Sequence, residues 1–247
     1  MTGVLHGRRV LVVGASSGLG EALARAVVAA GGDVAISARR ADRLEQIVTE
    51  LGAGHALAGD ATSPEDAVRV ASGAAAAMGG LDAMVYLAGF GVLQRLTDTD
   101  PEVWADVFAT NVVGANLAAA AALDHLGPDG VVAFMSSRTV IDANALFATY
   151  SATKAALDQS IRTWRAEHPD RRFLRVVMGN AWPTEFGEHM GSDLLGEALE
   201  AWGRQGIPGG FMDPTEVGAA LAAMLAVVLD HPGIDVADLQ FDARRTA

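Results

Sequence analysis

Apolar residues gather in short runs, separated by longer amphipathic stretches. The runs are "RVLVVG" (9–14), "DVAISA" (33–38), "HALAG" (55–59), "DAMVYLAG" (82–89), "GVVAFMSS" (130–137), "FLRVVMG" (173–179) and "VADLQFDA" (236–243). Those in the first two thirds of the chain are nearly continuous rather than alternating, as strands covered on both faces should be. Between the runs, the spacing predicts helices over 18–31 and 41–51. Three further helix starts carry an acid or serine followed by proline at the first helical position: "SPED" (63–66), "DPEV" (100–103) and "DPTE" (213–216). Strand and helix alternate from end to end. Parallel neighbours need crossover helices, so the predicted fold is α/β: one domain over 1–247, built on a doubly wound parallel sheet of about seven strands with helices on both faces. Only the segment 182–212 breaks the rhythm. Ligands in such folds bind beyond the carboxyl ends of the strands, which makes this segment a substrate-loop candidate. The alternative is a surface excursion with one helix.

Composition narrows the classes of function. The formal net charge of −12 gives no basic face for nucleic acid. There are no cysteines, so disulfides, thiol catalysis and Cys-type zinc sites are excluded, and no metal site is predicted. The opening apolar run breaks at Gly14, unlike a signal peptide, and no apolar run of membrane-spanning length lacks Gly or charge. The expectation is a soluble, cytoplasmic protein with no membrane partner.

The stretch "VLVVGASSGLG" places Gly14, Gly18 and Gly20 between the first strand and the first helix. Glycines let the backbone turn tightly and approach a pyrophosphate, and a helix N-terminus offers free N–H groups and a positive dipole end. Ser16, Ser17 and Leu19 of the same turn join them as candidate cofactor contacts. The spacing is G-x-x-x-G-x-G and lacks the Gly-Lys-Ser/Thr of a P-loop, so nucleotide hydrolysis drops away. A turn that merely packs helix on strand is the alternative. After the second strand, Ala38 stands where a ribose-binding acid would be expected, followed by Arg39 and Arg40. A carboxylate there would serve NAD(H); arginine offers a fork of donors to a 2′-phosphate, so the sequence favours NADP(H) over NAD(H). Both arginines could instead belong to the solvated face of the next helix, with Arg43. Asp60, with Ala61 beside it, ends the third strand and could accept from an adenine amino group or cap the following helix, although Ser63 already fits that role.

Lys154 is the one lysine in the chain, four residues after Tyr150, one of two tyrosines. That spacing puts both on one helix face. A nearby ammonium favours the phenolate and is expected to lower the tyrosine pKa toward neutrality, where it can exchange a proton with a substrate oxygen. Arginine stays fully protonated and is less compact, which gives the lysine a reason. Ser137 ends the strand "VVAFMSS" and could bond the same oxygen. Ser136 competes for that role, since adjacent strand residues face opposite ways. Asn111 lies inside the helix opened by Asp100-Pro101, as a polar contact or an ordinary surface amide.

In "GASSGLG" (14–20), "YLAG" (86–89), Asn111, Ser137 and "YSATK" (150–154), the chain resembles the short-chain dehydrogenase/reductase family, over nearly its whole length and in the family's order. The resemblance implies a Rossmann fold. It makes Tyr150 the proton donor or acceptor, Ser137 the holder of the substrate oxygen, and Lys154 the partner of the nicotinamide ribose. It also implies that Asn111 keeps a water in a proton relay, that Ala88 and Gly89 flank the adenosine ribose, and that Arg39 matches the family's basic residue. A homodimer or homotetramer is implied as well, through the Ala-rich helices near 101–125 and 150–166. Three places depart from the family. Val13 replaces a common threonine, Tyr86-Leu87 replaces a pair of asparagines, and Ala181-Trp182-Pro183 occupies the usual Pro-Gly region. Thr184 is the candidate contact there for the nicotinamide carboxamide.

The expected function is an NADP(H)-dependent oxidoreductase acting on a carbonyl or alcohol substrate. Trp182, Phe186, Met190, Trp202, Phe211 and Met212 are expected to wall the site for an apolar molecule. A dinucleotide-binding sensor or scaffold without turnover is the alternative; the presence of Ser137, Tyr150 and Lys154 together argues against it.

Overall fold

The structure is a computed structural model that describes residues 3–188, 190, 192–207 and 209–244. Seven parallel strands form one sheet in the order β3-β2-β1-β4-β5-β6-β7. They are β1 (Arg9–Val13), β2 (Asp33–Ala38), β3 (His55–Ala58), β4 (Leu81–Tyr86), β5 (Leu126–Ser137), β6 (Arg172–Met178) and β7 (Asp238–Phe241). Each predicted run holds a strand. β5 starts earlier than expected, at Leu126, whereas β4 stops at Tyr86 and releases residues 87–89 to cross the sheet edge.

Alternate strand residues divide the core in two. Val10, Val12, Ala83, Val85, Val131 and Ala133 face α1 (Gly18–Ala29), α2 (Ala41–Leu51) and α9 (Pro214–Asp230). Leu11, Met84, Tyr86, Val132 and Phe134 face α3 (Pro64–Met78), α5 (Ala115–Leu123) and α6 (Ala148–Glu167). Burial on both sides is why these strands read as unbroken apolar runs. The three proline-marked helices start as their sequences dictate. Ser63 accepts from the Asp66 N–H at 3.1 Å, Asp100 from Glu102 at 3.0 Å, and Asp213 from Thr215 at 2.8 Å and Glu216 at 3.2 Å. Each cap satisfies N–H groups that the helix cannot, a contribution of about 1 kcal/mol.

The run from Pro101 to Leu123 is continuous but not uniform. Helix α4 (Pro101–Phe108) passes into a π-helical turn, Ala109–Gly114, and then into α5. By length and composition alone this helix could cross a membrane. Here it lies on the sheet, with Ala115, Ala118, Ala119 and Ala122 buried beside Met84 and Phe134. After β6 the chain forms α7 (Glu185–Glu188) and α8 (Ser192–Arg204), two helices within the segment read as a substrate-loop candidate. A backbone bridge between Ala181 and Met212 ties the two ends of this excursion together.

Candidate functional site at the carboxyl edge of the sheet

The glycine turn is shaped by backbone closeness. The N–H groups of Gly14 and Ala15 both donate to the Ser37 carbonyl at the end of β2, at 2.7 and 3.1 Å. Leu87 and Ala88 donate to the Val13 carbonyl, at 2.7 and 3.0 Å, and so lay the end of β4 across the turn. Gly14 has φ +90°, and a Cβ there would lie 2.2 Å from the Ala88 nitrogen. A Cβ on Gly20 would lie 2.1 Å from the Gly14 carbonyl oxygen. Ser17 precedes α1 in an extended conformation and makes no side-chain cap bond, so the first N–H groups of the helix stay available to an anion. Leu19 packs its side chain into the core, which leaves its backbone as the group it can offer. Thr184 faces Gly18 from across the cleft, its Cβ 3.5 Å from where a Gly18 Cβ would be.

Arginines gather at the rim of this turn. Arg40 donates to the Ser16 hydroxyl at 2.9 Å and pairs with Glu185 of α7 at 2.7 Å. Arg43 reaches the Ser16 carbonyl at 3.3 Å and Glu21 at 2.7 Å. Its spacing of three from Arg40 on α2 was the available sign that it belongs here. Arg39 is exposed and makes no hydrogen bond or ion pair among the described residues. Asp60 is turned back on its own loop and accepts from the Thr62 N–H (2.9 Å) and hydroxyl (2.8 Å). Those bonds hold its carboxyl below the usual range, with a smaller contribution from Arg39. Ser63, not Asp60, caps α3. Ala61 lies against the π turn, its carbonyl 2.7 Å from where a Gly114 Cβ would be.

The π turn is fixed by side chains. The Tyr86 hydroxyl donates to the Thr110 carbonyl at 2.7 Å, and Asn116 donates to Val112 at 2.7 Å. Tyr86 thereby ties β4 to this helix from the position of the family's asparagine. Any side chain at Gly114 would strike the Tyr86 oxygen, at 2.6 Å. Asn111 sits inside the turn, fully buried. Its amide accepts from the Phe90 N–H (3.1 Å) and donates to the Phe90 carbonyl (2.9 Å) and the Thr153 hydroxyl (3.0 Å). It is a buried strut between the β4 extension and α6, not a surface amide. Gly89 lies above it; a Cβ there would be 3.0 Å from the Asn111 oxygen and 3.7 Å from the Lys154 nitrogen.

The two serines at the end of β5 separate as the pleat requires. Ser136 turns into the sheet–α6 interface and donates to Asp158 at 2.5 Å. Ser137 lies on the Tyr150 side, near enough to act on the phenol. It also accepts from the Thr139 N–H at 3.2 Å. The half-buried Tyr150 ring stacks on Phe147 (centroids 4.6 Å apart) and meets Phe186 edge-on at 5.1 Å. Burial pushes its phenol up to about 12, with Ser137 pulling the other way. The expected lowering by Lys154 is not found. The lysine nitrogen donates to the Met135 carbonyl at 2.8 Å and lies 5.4 Å from the ring centroid, over the ring and not at its oxygen. Lys154 is itself only 4% exposed, and burial pushes it down to about 8 against the opposing pull of Asp158.

The expected apolar wall divides. Phe186, Met190 and Trp202 join Leu93, Phe147 and Tyr150 in one cluster. Trp202 is fastened by its indole N–H to the Ala145 carbonyl at 2.8 Å. Trp182 and Phe211 lie outside with half their surface exposed, and Met212 packs on the main core. Phe147 was missed in the sequence. It precedes the helix start in a loop without periodicity, next to Leu146, which adopts a strained φ of +64°.

The family described as short chain dehydrogenase has a sequence model that matches residues 8–187. Glucose 1-dehydrogenase of Gluconobacter oxydans is 33% identical over 173 residues, 67% of this chain and 65% of that protein. The chain spans less than two thirds of that relative, and 56% of a short chain dehydrogenase from Pseudocercospora fijiensis that is 32% identical over 67% of this chain. An uncharacterized oxidoreductase of Mycobacterium tuberculosis is 34% identical over 189 residues, 72% of this chain and 74% of its own length. Among solved structures, an alcohol dehydrogenase from the archaeon Thermococcus sibiricus, complexed with 5-hydroxy-NADP, has a TM-score of 0.82 at 26% identity, over 97% of this chain and 99% of that one. A short chain dehydrogenase from Burkholderia cenocepacia in complex with NADP has a TM-score of 0.81 at 26% identity, over 96% and 97%. With the glycine turn, Ser137, Tyr150 and Lys154 all inside the matched span, the chain belongs to the short-chain dehydrogenase family of oxidoreductases.

Proposed function

We propose that this protein is an NADP(H)-dependent oxidoreductase that interconverts a carbonyl and an alcohol on an apolar substrate. The observation that carries the reading is the meeting of Ser137, Tyr150 and Lys154 at the end of β5, beside the glycine turn. The residues present fit a dinucleotide. Gly14 and Gly20 leave no room for side chains where the backbone must come close, and the start of α1 offers N–H groups to a pyrophosphate. Ala38 carries no carboxylate to repel a 2′-phosphate, and Arg39, Arg40 and Arg43 stand at the same rim. The NADP-type cofactors of the two solved relatives support the same preference.

A nicotinamide dinucleotide, when bound, supplies or accepts hydride; the rest falls to this chain. Tyr150, protonated at neutral pH because burial holds its pKa high, is suited to donate a proton to a carbonyl oxygen. Ser137 donates a hydrogen bond to the same oxygen. Lys154 supplies a positive charge over the ring and a donor for a ribose hydroxyl. Phe147, Phe186 and Trp202 exclude water and favour apolar or ring-bearing substrates. The test is loss of NADPH absorbance with a panel of ketones and aldehydes. Tyr150→Phe is expected to cut turnover by about 10²-fold to 10⁴-fold while NADPH still binds. Turnover that survives this change, or NADPH binding with no turnover on any carbonyl, would refute the reading.

A further inference from the structure

Asp158 is absent from the chemistry above, yet it is the one buried acid among the described residues, only 4% exposed. It lies one turn beyond Lys154, as Lys154 lies one turn beyond Tyr150, so the three share a helix face. Lys154 donates to the carbonyl of Met135, and Asp158 accepts from the hydroxyl of the next residue, Ser136. Ammonium and carboxylate are thus anchored to consecutive residues of β5. The second Asp158 oxygen faces Arg175 of β6 at 2.6 Å. Arg175 in turn shares Asp238 of β7, at 3.3 Å. A buried acid with this much support is costly to build and needs a reason.

We propose that Asp158 is a positioning residue for the Tyr150–Lys154 pair: locked by Ser136 and Arg175, it keeps the buried lysine in its ammonium form. Burial works against that charge, and Asp158 is the opposing influence. The titratable groups that face the lysine are Tyr150 and Asp158 on α6; Arg175 of β6 meets Asp158, with Asp238 of β7 behind it. From β5 and the π turn come the Met135 carbonyl, Ser136 and Asn111, which do not titrate. Removing the carboxylate takes away the attraction and also leaves Arg175 unneutralised, so both changes disfavour the ammonium. Removing Arg175 acts in the opposite sense.

The single lysine makes this directly measurable. Protein grown with ε-¹³C-lysine gives one side-chain resonance, which is followed from about pH 6 to about pH 11. Asp158→Asn is expected to move the midpoint down by about one unit, and Arg175→Gln to move it up. An unmoved midpoint in folded Asp158→Asn overturns the proposal. Should that variant fail to fold, Arg175→Gln decides: an upward shift supports the proposal, and no shift or a downward one overturns it. The consequence for turnover rests on the function proposed above, with the alkaline limb of the pH–rate profile moving down in Asp158→Asn. A shifted resonance beside an unshifted limb would leave Asp158 in its role and remove Lys154 from the chemistry.

Discussion

The two walls of the cleft are built on different terms. On the side of β1 and α1, main chain meets main chain, and Gly14, Gly20 and Ala88 lie so close that one added carbon would collide. On the side of α6 and the excursion after β6, side chains meet side chains: Tyr150 stacks on Phe147, Trp202 tilts against Phe147, and Phe186 meets Tyr150 edge-on. The first wall is a fixed shape with one permitted residue at each critical point. The second is a choice among apolar residues of similar size, the kind of surface that can change substrate without changing fold. Gly14→Ala puts the difference to its hardest test. A Cβ 2.2 Å from the Ala88 nitrogen, at a φ of +90°, forces β4 off the turn. The expected loss is about 3 kcal/mol or more, read as a lower urea midpoint, together with loss of dinucleotide binding. Tolerance of Ala at this point would mean that the cradle is as adaptable as the opposite wall.

That contrast also governs what could be read from the sequence. The alternation of strands and helices, the three capped helices and the glycine turn follow from local rules, in which a residue type signals its own conformation. Gly14 and Ser63 say what they do. The competing roles of Ser136 and Ser137 could be narrowed to one each, because a pleat sends neighbours to opposite faces. The direction of the Tyr150 shift could not be read, because it depends on where the lysine nitrogen points and on how tightly Phe147 and Phe186 enclose the ring. Spacing placed Tyr150 and Lys154 on one face but could not say that the amine would turn to Met135. Glu185 and Asp158 were hidden for a related reason: each gains its meaning from an arginine remote in sequence, 145 positions away for Glu185.

Lys154→Met sharpens the comparison from the side-chain wall. Folding takes the lysine from its usual pKa near 10.5 to about 8, so the native state binds this proton less tightly than the unfolded chain. Stability from this group is therefore present above the unfolded value and is lost as pH falls through about 8. At pH 7 the native protein carries a buried charge at a net cost. Replacing the lysine with an apolar residue of similar length is expected to stabilise the fold by about 2 kcal/mol at pH 7 and to flatten the rise in stability between about pH 8 and about pH 10. Denaturant melts across that range provide the check. A destabilised Lys154→Met would show that the lysine holds the wall together rather than straining it.

Tyr86→Phe acts where the two walls join. The phenol is buried, and its hydroxyl satisfies the Thr110 carbonyl inside the π turn. Without it the carbonyl has lost its donor in a dry interface, at a cost of about 1 kcal/mol. The π turn carries Asn111, so a heteronuclear NMR spectrum is expected to show changes at Phe90 and Thr153, its partners, and little change at Gly14 or Gly20. Changes spread evenly over both regions would mean that the cradle and the catalytic face are a single mechanical unit.

The smallest effect is expected at an ion pair that spans the cleft. Arg40 stands with the cradle and Glu185 with the opposite wall, and both are well exposed. A pair of this kind contributes less than about 1 kcal/mol, so breaking it leaves the fold intact. If the proposed NADP(H) preference holds, its importance lies in competition. Arg40 has one guanidinium to share between Glu185 and a 2′-phosphate, and the carboxylate also adds like-charge repulsion near that phosphate. Glu185→Gln removes the competitor while leaving Arg40 on Ser16. Affinity for NADPH is then expected to rise by about threefold, with NADH unchanged, when the two are titrated side by side at low salt. The gain must shrink as salt is added. Equal changes for both dinucleotides would place Glu185 in the closing of the wall rather than in the choice of phosphate.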